Sequence, residues 1–128
     1  LRRHPQAATG GLGLVTASGA ICGLAQDYVE PLGLELPVLS ERQTEVLREH
    51  LQAFLSPRNP LDLGTVIDKT PELIAKGVKA ILDDPAVGSL LVSLPMPNPA
   101  ASVNWLGQFH EGCSGSGWLI HGASEMRG

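Results

Sequence analysis

The sequence predicts an α/β fold, a three-layer sandwich around a mostly parallel sheet of four or five strands. Three observations predict it. Short apolar runs of strand length alternate with amphipathic stretches along the chain. The run GSLLVSL at residues 88–94 is almost continuously apolar, the pattern of a parallel strand covered on both faces. Residues 11–30, GLGLVTASGAICGLAQDYVE, read as a buried strand turning tightly into a helix, with Ser18, Gly19 and Ala20 at the helix mouth.

Residues 1–9 are polar and irregular and read as a linker or tail, with His4 beside Pro5 a solvated loop residue. From residue 10 to 122 the chain reads as one domain, and 123–128 as a truncated tail. In the first strand Leu12, Leu14 and Val15 are the apolar positions. Ile21, Leu24, Ala25, Tyr28 and Val29 then follow helical spacing, and Pro31 and Gly33 end that helix. Residues 34–39 alternate briefly and read as a second strand, placed near an edge by Pro37.

Ser40 to Gln43 has the form of a capping box, so a helix follows, with Thr44, Leu47, Leu51, Phe54 and Leu55 as its stripe and His50 solvated beside it. The stretch SPRNPLD at 56–62 reads as a loop, in which Asp62 fixes the backbone or caps a turn. Thr70 and Pro71 open a third helix through Leu73, Ile74, Val78, Ile81 and Leu82. Within it Gly77 weakens the helix, and close packing against a sheet is the reason to keep a glycine there. Asp83-Asp84-Pro85 ends it.

After the 88–94 strand, PMPNP breaks the chain at the carboxyl edge of the sheet. Asn98 and Pro99 open a fourth helix carried by Val103, Leu106 and Phe109, with His110 partly exposed beside them. Trp118-Leu119-Ile120 reads as an edge strand before His121. In parallel sheets ligands sit at the carboxyl ends of strands, which singles out Ala17-Ser18-Gly19, the loop containing Pro95, and the residues after Ile120.

Composition limits the function classes. A net charge of −4, with no basic run beyond Arg2-Arg3, argues against a nucleic-acid partner. No window approaches the roughly 18 apolar residues of a membrane span, and the reading is a cytoplasmic protein without a membrane partner. Cys22 and Cys113 form no motif and read as free thiols. HExxH, paired CxxC, a GxSxG elbow and a Walker lysine are all missing, so no catalytic or metal-ligating residue is assigned.

The helix mouth at Ser18-Gly19 is the remaining chemical feature. Unpaired N–H groups and the positive end of the helix dipole suit an anion there, most often a phosphate. The plainer alternative is that Ser18 caps its helix and Gly19 allows close packing.

GLVTASGAICGLAQDYVEPLGLELPVLS, followed by NPLDL and then DDPAVGSLLVSLP, resembles the flavodoxin-like succinyl-CoA-ligase domain of NDP-forming acyl-CoA synthetases over about residues 10–120. That resemblance implies a flavodoxin-like fold. It also implies a part in making acyl-CoA from an acid and CoA while a nucleoside triphosphate is cleaved to diphosphate and phosphate. In the family the SG turn holds a phosphorylated histidine carried by a mobile loop, which matches Ser18, Gly19 and Ala20. The resemblance implies a CoA-binding Rossmann domain and an ATP-grasp domain as partners. CoA, ATP or GTP and Mg are implied for the full enzyme, with no cofactor bound by this chain alone and the isolated chain inactive.

Two departures qualify it. No GHAGA or SHTGA phosphohistidine motif is present, and His121, followed by GASEM, is not assigned that role. Many members carry a histidine-orienting glutamate where this chain has Pro95, a site-edge position. A non-catalytic flavodoxin-like ligand-binding or interaction module is the alternative. A flavin-binding redox protein is a third reading and predicts a yellow preparation.

Overall fold

The computed structural model describes residues 9–95 and 98–114. The expected strand at 118–120, His121, the tail, residues 1–8 and two residues of the PMPNP loop lie outside the described residues. Strands β1 (Gly11–Thr16), β2 (Leu61–Asp62) and β3 (Val87–Ser93) form a parallel sheet in the order β2-β1-β3. Helices α1 (Gly19–Val29), α2 (Glu41–His50), α3 (Glu72–Leu82) and α4 (Pro99–Cys113) surround it, with a 3-10 turn at Gly64–Asp68. The α/β class and the parallel sheet are as expected, with three strands among the described residues.

The chain moves from β1 to β2 in one direction and from β2 across β1 to β3 in the other. Right-handed crossovers therefore put α1 and α3 on opposite faces. Side-chain burial agrees. Val15, Leu61 and Val87 join α3 residues Leu73, Ile74, Val78 and Ile81 in one buried cluster, whereas Leu14 and Cys22 are buried outside it. On the α3 side α2 and α4 pack against α3 and complete that layer.

Two glycines set close approaches there. A side chain at Gly77 would meet Leu61 Cδ2 at 2.8 Å, so α3 packs closely on the Leu61 side chain. At Gly112 it would meet the Ala75 carbonyl oxygen at 2.6 Å, which fixes the α3–α4 crossing.

Several sequence expectations need correction. Residues 34–39 form no strand. Pro37 has no N–H to give, and the segment makes one backbone bond to β1, from Leu12 N to Glu35 O at 2.7 Å. The pairing with the end of β1 comes instead from Leu61 and Asp62, inside the stretch read as a loop. Helix α2 stops at His50, because Leu51 turns extended, and Phe54 is exposed.

Ser40 caps α2 through a bond from Gln43 N to its Oγ at 3.3 Å. Its own N–H goes to Asp84 Oδ2 at 2.6 Å, where a capping box would send it to the Gln43 side chain. Thr70 makes no side-chain cap on α3. On α4, Asn98 caps through Ala101 N at 2.9 Å with Pro99 in the first turn, as read. The buried face of α4 is Trp105, Gly112 and Cys113, and Val103 and Leu106 face solvent, because α3 covers the other side. Strand β3 pairs only with β1 among the described residues, and Leu91 is half exposed where cover on both faces was expected.

Candidate functional site: the mouth of helix α1

Parallel register aligns Asp62, Thr16 and Ser93 as neighbours across the carboxyl ends of β2, β1 and β3. Helix α1 starts directly beyond the middle of this row, so its N-terminus opens at the rim where open α/β sheets bind ligands. Thr16 is fully buried, and its Oγ1 accepts the Ser18 N–H at 3.2 Å, which holds the turn.

Ser18 is the N-cap residue, extended at φ −140° and ψ 115°, and its side chain makes no cap bond. Its carbonyl accepts the N–H groups of Ile21 at 3.1 Å and Cys22 at 3.3 Å. The N–H groups of Gly19 and Ala20 have no acceptor among the described residues, and both residues are exposed. Two amide donors, a free serine hydroxyl and the positive end of α1 therefore face outward together. A Cβ at Gly19 would meet only Asp62 Oδ2, at 3.3 Å, so tight packing does not require that glycine.

Asp62, read from sequence as a loop-fixing residue, does that work and also reaches the mouth. Its Oδ1 accepts Gly64 N at 2.8 Å, and Oδ2 lies beside Gly19. The charge is felt in the first turn of α1. Burial pushes the Cys22 thiol above its ordinary value, Asp62 pushes it further, and Arg58 opposes both. Cys22 and Cys113 are both buried and form no disulfide, and burial raises the Cys113 thiol likewise. Pro95 is exposed two residues past β3 at the same rim, and no hydrogen bond joins it to the mouth.

Sequence reasoning missed Asn59 and the full role of Asp84. The Asn59 side chain accepts Leu14 N at 3.0 Å and donates to Leu12 O at 2.9 Å and Pro37 O at 3.1 Å. It thus fills the edge of β1 between residues 35–37 and β2. Asp84 is buried and accepts Ser40 N at 2.6 Å and Ala86 N at 2.9 Å, joining the start of α2 to the turn before β3. The NPLD and DDP motifs are the only signals that could have pointed to either.

No family model matches the chain. It is 35% identical over 85 residues to Trans-feruloyl-CoA synthase FCS1 of an unknown prokaryotic organism, which covers 66% of this chain and 12% of that protein. The crystal structure of PH0766 from Pyrococcus horikoshii OT3 shares the fold, with a TM-score of 0.71 and 24% identity over 83% of this chain and 25% of that one. The dinucleotide-forming acetyl-coenzyme A synthetase 1 of Ca. Korarchaeum cryptofilum, in complex with phosphate and ADP, aligns at a TM-score of 0.67 and 19% identity. That match covers 84% of this chain and 23% of the synthetase. The chain thus spans about an eighth of its curated relative and about a quarter of the solved neighbours. In sequence and in fold it is similar to the flavodoxin-like succinyl-CoA-ligase domain of NDP-forming acyl-CoA synthetases.

Proposed function

We propose that this chain is a subdomain of an NDP-forming acyl-CoA synthetase, and that Ser18, Gly19 and Ala20 bind the phosphoryl group of a phosphohistidine brought by a loop outside this chain. The observation that carries the reading is the pair of unpartnered amides at Gly19 and Ala20 beside a serine hydroxyl that caps nothing. A phosphoryl dianion accepts hydrogen bonds without donating in return, so donors fixed in advance at a helix start suit it.

Asp62 has a separate part in this reading. Its charge disfavours a free dianion at the mouth, while its carboxylate is an acceptor for the N–H of an arriving imidazole ring. The loop that delivers phosphate on a histidine therefore gains an orienting contact that inorganic phosphate lacks. Asp62 is thereby proposed to do what the family's glutamate does at the position occupied here by Pro95. Sister domains, CoA, ATP or GTP and Mg belong to the whole enzyme in this proposal. Among the described residues no cluster of His, Cys, Asp or Glu could hold a metal ion.

The test is a single substitution in the full-length polypeptide of the reading frame. Ser18 is already extended, so Gly19→Pro fits the preceding backbone and removes an N–H that has no partner in the fold. Transfer of label from the γ-phosphate of ATP or GTP to an acid-labile, alkali-stable site should slow by about 100-fold. A rate equal to that of the unsubstituted polypeptide contradicts the proposal.

A further inference from the structure

We infer that the outer flank of α1 and the chain that follows it dock another domain of the same polypeptide, one presenting an apolar surface rimmed by lysine or arginine. This inference rests on the reading of the chain as part of a larger synthetase. Leu24, Tyr28 and Leu32 are spaced by four residues, and the bond from Leu32 N to Tyr28 O continues the helical turn, so the three lie along one stripe. They are 51%, 61% and 69% exposed, and Leu34 and Val38 follow at 50% and 92%. In α1 Cys22 is buried and Ile21, Ala25 and Val29 are half-buried, whereas Leu24 and Tyr28 are exposed.

Scattered apolar residues on a surface need no explanation, whereas a contiguous stripe with consistent charge does. Between residues 18 and 40 the charged side chains are Asp27, Glu30 and Glu35, all exposed, with no Lys, Arg or His among them. A segment whose own charges are all acidic is complementary to an apolar surface rimmed by basic side chains. It is poorly complementary to itself, because a second copy would bring acid against acid. The solved neighbours supply the room for such a partner, since this chain covers only 25% and 23% of theirs.

Tyr28 is the single tyrosine of the chain and gives a direct readout. In hydroxyl-radical footprinting of the full-length polypeptide, Tyr28 should be modified at least about fivefold more slowly than a tyrosine tripeptide in the same tube, as for an interface core. Asp27→Lys with Glu30→Lys, both at exposed positions, should restore its reactivity without unfolding the domain. Tyr28 reacting like the tripeptide overturns the inference, as does protection that vanishes on dilution, which would mark a second copy. A reading frame encoding no flanking domain defeats the synthetase reading and this inference with it. Flanking domains present with Tyr28 open defeat this inference alone.

Discussion

The side chain of Asn59 stands in for a strand at the edge of β1, with Oδ1 accepting Leu14 N at 3.0 Å and Nδ2 donating to Leu12 O at 2.9 Å. The same amide group holds Pro37 O at 3.1 Å, so one residue joins β1, the 34–39 segment and the approach to β2. Because β1 leads straight into Ser18, the aim of the α1 mouth depends on this edge being closed. Asn59→Ala leaves these three backbone groups without their partner and should destabilise the domain by about 2–4 kcal/mol, read as a lower denaturant midpoint. Asn59→Asp should be no better, since a carboxylate cannot donate to Leu12 O or Pro37 O.

Asp84 predicts a pH dependence. Burial opposes its ionisation, but the amides of Ser40 and Ala86 and the Ser40 hydroxyl more than offset it, holding the carboxyl below its ordinary value of 3.8. A folded pKa below the unfolded one contributes stability that is present above the unfolded value and lost as pH falls through the folded one. Asp84→Asn should therefore cost about 1–3 kcal/mol at neutral pH. The gap to the unsubstituted domain should close as the pH drops below the unfolded carboxyl value, which urea denaturation across the acid range measures.

Gly112 and Gly107 lie on the same helix and should respond in opposite directions. Alanine at Gly112 would meet the Ala75 carbonyl oxygen at 2.6 Å and Val78 Cβ at 2.8 Å, forcing α4 away from α3 at a cost of about 1–3 kcal/mol. Alanine at Gly107 meets nothing within 4 Å and should stabilise the helix by up to about 1 kcal/mol. Thermal unfolding of the two variants side by side checks this.

Asp62→Asn separates two effects at the mouth. Removing the charge beside Gly19 while keeping an oxygen for Gly64 N should tighten binding of inorganic phosphate by about two- to fivefold, less so at high salt. In the full-length polypeptide the same change should slow phosphoryl transfer, because an amide accepts an imidazole N–H less well than a carboxylate does. Faster transfer together with tighter phosphate binding would remove Asp62 from the orienting role.

What the sequence made legible was local. The strand-to-helix turn at Ser18, the Ser40 cap and the Asn98-Pro99 helix start are set by residues within a few positions of one another, and all appear where read. What it hid was contact between distant segments. Asn59 bonds to residues 22, 45 and 47 positions away, and Ser40 to Asp84 44 positions away, and no periodicity signals either. The inward face of α4 depends on α3, so Val103 and Leu106 looked like core because apolar spacing alone cannot say which side is covered. The expected strand at 34–39 failed for a related reason, since an alternating pattern does not reveal that an asparagine from residue 59 takes over part of the edge.

Titration of 15N-labelled chain with inorganic phosphate, followed by NMR, tests the proposed anion site most directly. The amide resonances of Gly19 and Ala20 should move in a saturable way while that of Ile21, already bonded to Ser18 O, moves less, and Gly19→Pro should weaken the response at Ala20. Resonances of Gly19 and Ala20 that stay in place at saturating phosphate, with the domain folded, would contradict the account.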